Sequence, residues 1–298
     1  MIQVTEHAAE RAVPAWTARI RADEKLLEVR GLTKRYGPGC SSCHQPETGE
    51  WHSSRCPRCG TIWACRSLDF HLYPGEILGV VGESGSGKST MVKCLYFDEE
   101  ATSGEMTLSV CPGDGNLLQA SSQRKRYVRN HLMGMVYQNP YLGLRMNFSS
   151  SGNVAEKLFA ASQFYVGRVR RRAAELLERV EIPLARMDEP PARFSGGMQQ
   201  RVQISRALAN DPPILLLDEV TTGLDLSVQA RVLDLIRSIR RELGVAMIVV
   251  SHDLGVIRML ADRTMVMRHG AIVEHGLTDQ ILEDPQHPYT QLLVHSLL

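Results

Sequence analysis

The 298-residue chain has no apolar run approaching the ~20 residues that a helix needs to cross a bilayer, which argues against a membrane-spanning helix. It also lacks a charge excess. Its 34 Lys and Arg against 33 Asp and Glu leave a formal net charge of +1, so the overall balance gives no pull towards nucleic acid or anionic lipid. Residues Met1 to Glu24 have no long apolar centre and mix Glu6, Glu10, Arg11, Arg19 and Arg21, unlike a secretory leader. The expectation is a cytoplasmic protein whose residues 1–25 form a mobile or partner-bound extension. Cysteine is scarce outside one segment. Cys94 and Cys111 stand apart and read as buried thiols, whereas Cys40, Cys43, Cys56, Cys59 and Cys65 crowd together. In a reducing compartment, such crowding argues for metal rather than disulfides.

What is present is enough for a packed core, with 43% apolar and 22% charged residues. The richest stretch is Gly82-Glu83-Ser84-Gly85-Ser86-Gly87-Lys88-Ser89-Thr90. It follows the apolar run Ile77–Val81, read as a buried strand, and precedes Met91–Leu95, read as the start of a helix. Strand, glycine-rich turn and helix are the context of a P-loop. Its glycines let successive N–H groups form an anion-binding nest, and the helix N-terminus adds its positive end. Lys88 then reaches the β- and γ-phosphates, and Ser89 offers its hydroxyl to Mg²⁺.

Upstream, Leu26 to Tyr36 has strand-like spacing and breaks at Gly37-Pro38-Gly39. Tyr36 is read either as a base-stacking aromatic or as an ordinary half-buried strand residue. Cys40-Ser-Ser-Cys43 and Cys56-Pro-Arg-Cys59 follow, separated by twelve residues. Two such knuckles supply four thiolates to one tetrahedral site. The segment is too short and polar to hold its own core, so metal would supply its folding energy. We expect a four-cysteine zinc ribbon inserted into a β-hairpin over residues 38–62; a redox pair and an iron–sulfur cluster are the alternatives. His44 and His52 are nearby but surplus, and Cys65 belongs to the returning strand.

Downstream, Met133 to Gln138 reads as a short strand, Asn139 to Asn153 as loop-like, and Ala155 to Glu181 as helical in pattern. Arg124 to Asn130 reads as a solvated helix face, and Arg168, Arg170, Arg171 and Arg172 as the wet side of theirs. Ser195 is a good N-cap for a helix opening with Gly196 and Gly197. Ile214 to Asp218 reads as a buried parallel strand ending in Asp218 and Glu219, acids that are costly to bury without a cation or partner. Asp218 suits the Mg²⁺ shell, and Glu219 suits the polarisation of an attacking water. A helix is expected from Ser227 to Leu243. Val245 to His252 reads as another buried strand. His252 stands at the edge where ligands bind in such sheets and suits a phosphate-sensing role.

The ordered set of Walker A at Gly82–Thr90, a Q-loop at Gln138, the signature Ser195-Gly196-Gly197-Met198-Gln199, Walker B ending Asp218-Glu219, a D-loop ending Asp225 and a switch histidine at His252 resembles ABC-type ATPases over roughly Leu26 to Leu298. The resemblance implies an α/β P-loop NTPase domain over 26–298, with an antiparallel β subdomain and a helical subdomain at about 139–205. It implies an ATP-sandwich homodimer. Tyr36 would meet adenine, Gly82 to Thr90 the phosphates, Ser89 and Gln138 the Mg²⁺, Glu219 the water and His252 the γ-phosphate. Ser195, Gly196 and Gly197 would face the partner's γ-phosphate, and Asp225 would be a further nucleotide-binding residue. Val220 departs from the family's usual proline, which implies a freer loop after Glu219. The tail Asp284 to Leu293 is similar to that of oligopeptide- and nickel-importer ATPases. It is also similar to that of the ATP-binding component of phosphonate carbon–phosphorus lyase systems. Gly143-Leu144-Arg145, Ser151 to Leu158, Val180 to Pro183 and Leu224 to Arg231 are similar to the lyase component. The implied partners are soluble lyase core subunits, with a membrane importer as the alternative; nucleic acid is not expected.

Overall fold

The structure, a computed structural model, describes residues 21, 23–44, 53–111, 113 and 115–295. Most of the expected N-terminal extension, and His52 with it, lies outside the described residues. In chain order the elements begin with β1 (Leu27–Tyr36), α1 (Ser41–His44), β2 (Ile62–Leu72), β3 (Ile77–Val81), α2 (Lys88–Leu95), β4 (Ser103–Leu108), α3 (Ser122–Tyr127) and β5 (Met133–Val136). They continue with α4 (Pro140–Gly143), α5 (Ser150–Ala160), α6 (Val166–Arg179), α7 (Gly196–Ala207), β6 (Ile214–Asp218) and α8 (Leu226–Leu243). The last are β7 (Ala246–Val250), α9 (Leu254–Leu260), β8 (Arg263–Arg268), β9 (Ala271–Leu277), α10 (Thr278–Glu283) and α11 (Pro288–His295).

Two sheets organise these elements. The larger runs β5-β6-β7-β3-β8-β9, parallel except for the antiparallel pair β8–β9. The smaller is antiparallel, β2-β1-β4. Strands β3, β6 and β7 are buried along their whole lengths, as their unbroken aliphatic runs require. Successive side chains on a strand point to opposite faces, so these strands feed two cores. Leu78, Val80, Leu216 and Ile248 join β1, β2 and α2 in one. Ile77, Val81, Leu215, Leu217, Met247 and Val249 join the helices α5 to α9 in the other. Because β3, β5, β6 and β7 run parallel, their carboxyl ends reach one edge of the sheet.

The stretch from Asn139 to Asn153 is not one loop. Asn139 caps α4 by accepting from Tyr141 N, and Ser149 caps α5 by accepting from Gly152 N, so the serine run is a helix start. The helical pattern over Ala155 to Glu181 is carried by two helices, α5 and α6. Helix α5 ends at Ala160, Ser162 adopts φ +63°, and Gln163 N returns to Leu158 O at 3.0 Å, the backbone pattern that closes a helix with a left-handed residue. Arg168, Arg170 and Arg171 are exposed as expected, but Arg172 is half-buried and bonds Ala209 O and Asp211. Helix α5 packs against α6 and α7. Val220 is buried and its carbonyl accepts from Gln200 Nε2 at 3.3 Å, so the loop after Glu219 is pinned where proline is missing.

Ile248 is fully buried on the central strand β7. Ile248→Ala is expected to lower unfolding stability by about 2–5 kcal/mol, read from the denaturant midpoint at unchanged slope.

Candidate functional site

The site grows from the carboxyl end of β3. Gly82 and Gly87 hold φ +149° and +108°, and a β-carbon at either would collide with a carbonyl oxygen, Met267 O at Gly82 and Ala64 O at Gly87. The loop they allow delivers Lys88 into the interior, where only 3% of the residue stays exposed. Its ammonium donates to Gly82 O at 2.7 Å and Glu83 O at 3.0 Å. Burial lowers the Lys88 pKa, and the charges of Glu219, Asp218 and Glu83 oppose that shift. Ser89 Oγ donates to Asp218 Oδ1 at 2.8 Å, joining the loop to the end of β6. Burial raises the Asp218 pKa, and the Ser89 hydrogen bond works against it.

Glu219 follows at φ +47°, a left-handed conformation that turns its carboxylate out of the strand line. Three residues meet its Oε2. Gln138 Nε2 donates at 3.0 Å, Thr222 Oγ1 donates at 3.2 Å, and His252 Nδ1 lies 3.3 Å away. The expected set of Gln138, Glu219 and His252 is therefore gathered on one oxygen, with Thr222 as an additional member. A half-exposed imidazole beside a carboxylate that is only 13% exposed can order a water or a phosphate oxygen there.

Other expected residues stand apart. Ser195 caps α7 by accepting from Met198 N and, like Gly196, is exposed; neither they nor Gly197 hydrogen-bond to Gly82–Thr90 among the described residues. Asp225 caps α8, accepting from Val228 N at 2.9 Å and Ser227 Oγ at 2.7 Å. Tyr36 ends β1 with 42% of its surface exposed, and the Lys34 ammonium lies 4.7 Å from its ring centre. Burial raises its phenol pKa, against a hydrogen bond to Thr90 of α2.

The four knuckle thiols meet. Cys40 Sγ and Cys56 Sγ are 3.8 Å apart, as are Cys43 Sγ and Cys59 Sγ, and all four lie within 4.8 Å of one another. A tetrahedral ion with metal–sulfur bonds of about 2.3 Å sets its sulfurs about 3.8 Å apart, so the donor set fits. Hydrogen bonding by Thr61 draws Cys59 down to about 6. At Cys40 a backbone hydrogen bond favours the thiolate, but burial and the neighbouring sulfurs outweigh it and push the thiol up to about 11. Cys65 lies buried on β2, opposite Lys34 and outside the cluster.

The comparisons agree with this geometry. A family profile described as "ABC transporter" matches residues 65–222, more than half of the chain. The chain belongs to the ABC ATPase family. It is 49% identical to the putative phosphonates utilization ATP-binding protein PhnK of Escherichia coli (strain K12), across 93% of this chain and 99% of that one. It is 42% identical to a putative peptide import ATP-binding protein of Brucella abortus, over 80% of this chain and 72% of the relative. Among solved structures it resembles a dimeric post-hydrolysis state of the ATP-binding cassette MJ0796 bound to ADP and Pi. That match has a TM-score of 0.69 at 26% identity and covers 85% of this chain and 98% of that one. This ABC ATPase therefore belongs among ATP hydrolases that use ATP with Mg²⁺ and whose cassettes form dimers.

Sequence reasoning missed three supports. Gln203 Oε1 accepts from Tyr137 N at 3.1 Å while its Nε2 donates to Tyr137 O at 3.0 Å, clamping the residue before Gln138 to α7. Gln200 Nε2 donates to Tyr137 O and Val220 O, both at 3.3 Å, tying the same point to the residue after Glu219. Tyr289 of α11 braces the P-loop, its hydroxyl oxygen accepting from Glu83 N at 3.0 Å. The glutamines' offset of three on one helix was a signal for the first two; nothing local signals Tyr289. Tyr289→Phe is expected to keep the fold and weaken nucleotide binding about fivefold, the worth of one hydrogen bond, by isothermal titration.

Proposed function

We propose that this ABC ATPase binds and hydrolyses ATP as a homodimer and drives conformational change in a soluble carbon–phosphorus lyase complex during phosphonate breakdown. The near full-length likeness to the phosphonates utilization protein carries the phosphonate reading; the peptide import relative matches over less of both chains. The division is read as one ATPase domain over 26–298, with a helical subdomain at about 139–205 and the insert at 38–62. The lyase chemistry belongs to the partner complex, and the protein works in the cytoplasm.

The residue roles follow the site. Tyr36 stacks on adenine, and the amides of Gly82 to Thr90 with Lys88 hold the phosphates. Mg²⁺, held by Ser89 and Gln138 with Asp218 behind Ser89, supplies charge neutralisation for the phosphates when bound. Glu219 accepts a proton from the attacking water, oriented by Gln138, Thr222 and His252, whose contacts fix its Oε2. His252 contacts the γ-phosphate. Ser195, Gly196 and Gly197 meet the partner protomer's nucleotide, and Asp225 is a further nucleotide-binding residue. Cys40, Cys43, Cys56 and Cys59 hold a structural Zn²⁺.

Glu219→Gln is expected to lower ATP turnover at least about 100-fold, the usual worth of a general base, while an ATP-bound dimer accumulates on gel filtration. In cells, deletion should abolish growth on an alkylphosphonate as sole phosphorus source but not on phosphate. Wild type should restore growth, and Lys88→Ala and Glu219→Gln should not. Normal growth of the deletion on phosphonate would overturn the phosphonate reading. The peptide import likeness favours a second reading, an importer subunit; loss of labelled phosphonate uptake in the deletion would select it over the lyase role.

A further inference from the structure

The thiol knuckle occupies a place that its own folding does not explain. It fills residues 37–61, between the last residue of β1, Tyr36, and the first of β2, Ile62, which pair across the hairpin. Its own buried cluster, among the described residues, is only Cys43, Cys56 and Trp63. So small a core does not hold a long hairpin loop closed, and a bound metal would.

Contacts run from the sulfurs to Tyr36. Cys59 Sγ lies 3.2 Å from Thr61 Oγ1, and the same hydroxyl accepts from Gly39 N at 2.9 Å. Gly37, directly after Tyr36, holds φ +119° against Thr61, so close that a β-carbon there would stand 2.7 Å from Thr61 Oγ1. On the other side of Tyr36, the Arg35 guanidinium lies 5.8 Å from the ring of Trp63, which packs on Cys43 and Cys56. Tyr36 is thus bracketed on both chain neighbours by residues that touch the thiol cluster, while its own ring stays 42% exposed.

We infer that the four-thiolate knuckle is a metal-dependent clamp on the adenine side of the nucleotide site, in which a bound Zn²⁺ fixes the β1–β2 junction, holds the Tyr36 ring in its stacking position and so sets ATP affinity. The inference rests on the zinc and Tyr36 assignments proposed above. The chemistry at the phosphates stands on other elements, so metal loss lowers affinity and leaves turnover at saturating ATP unchanged.

The test uses the full chain, with metal counted by elemental analysis and affinity measured with a fluorescent ATP analogue in Mg²⁺. Metal is removed with a zinc-selective chelator and restored with ZnCl₂, so that a variant's folding is not at issue. The expected result is one zinc per chain and about tenfold weaker binding after its removal, reversed by zinc, the scale of one lost base–aromatic stack. In Tyr36→Ala, the same removal should change affinity by less than about twofold, because the coupling acts through that ring. Thr61→Val should keep the zinc yet weaken binding. Stoichiometric zinc whose removal leaves affinity unchanged, or weakens wild type and Tyr36→Ala alike, would overturn the clamp and leave the zinc assignment standing. Absence of bound zinc would overturn both, and the metal count reports that independently of any nucleotide measurement. A Tyr36→Ala protein that binds as tightly as wild type would overturn the stacking role itself.

Discussion

Lys88, Asp218 and Glu219 share the carboxyl edge of a sheet that is covered on both faces, and neither sign is cheaply withdrawn from water alone. Burial pushes Lys88 down and Asp218 up, each towards its neutral form, and the acids around Lys88 and the Ser89 hydrogen bond and lysines around Asp218 act against those shifts. The arrangement is stable as a set and unstable in its parts. Around it stand Gly82 O and Glu83 O on Lys88, Ser89 on Asp218, and Gln138, Thr222 and His252 on Glu219. A tetraanionic nucleotide with a divalent cation enters such a site as one more pair of opposite charges, and the backbone nest already offers its N–H groups.

Helix α7 connects this centre to the helices that pack on it. Two buried amides on α7, Gln200 and Gln203, bond each other at 2.6 Å and both bond Tyr137 O. Amides can donate and accept at once, which lets one helix hold the residue before Gln138 and the residue after Glu219 together. A shift of α7 is therefore felt at both flanks, before Gln138 and after Glu219. Tyr137 also donates to Asp98 Oδ2 at 2.5 Å, just beyond α2, so the same residue reaches the far end of that helix.

The knuckle follows a different rule. Most of this chain folds on aliphatic burial, with the P-loop strand β3, its neighbour β7 and the next strand β6 buried along their whole lengths. The segment from Gly37 to Thr61 has no Leu, Ile, Val or Met to bury, and its four thiols, gathered within 4.8 Å, stand where a core would. Arg66 joins it to the turn between β8 and β9, donating to Ser53 O and to His269 O.

The sequence by itself determined what nearest neighbours and chemical type can determine. Unbroken aliphatic runs such as Ile77–Val81 specify buried parallel strands, the spacing of Gly82, Gly87 and Lys88 specifies the loop, and four cysteines in two pairs specify a tetrahedral donor set. Local reading failed at Ser149 and Ser162, where one serine starts a helix and the other ends one, because each outcome depends on backbone partners that the residue's type does not reveal. Only the tertiary structure decided which side chains share an atom. Gln138 and Glu219 are 81 residues apart, and Glu83 and Tyr289 are 206 apart. Such pairs form only after the register of the parallel strands brings their carboxyl ends to one edge, and strand register is a property of the packed sheet, not of either segment.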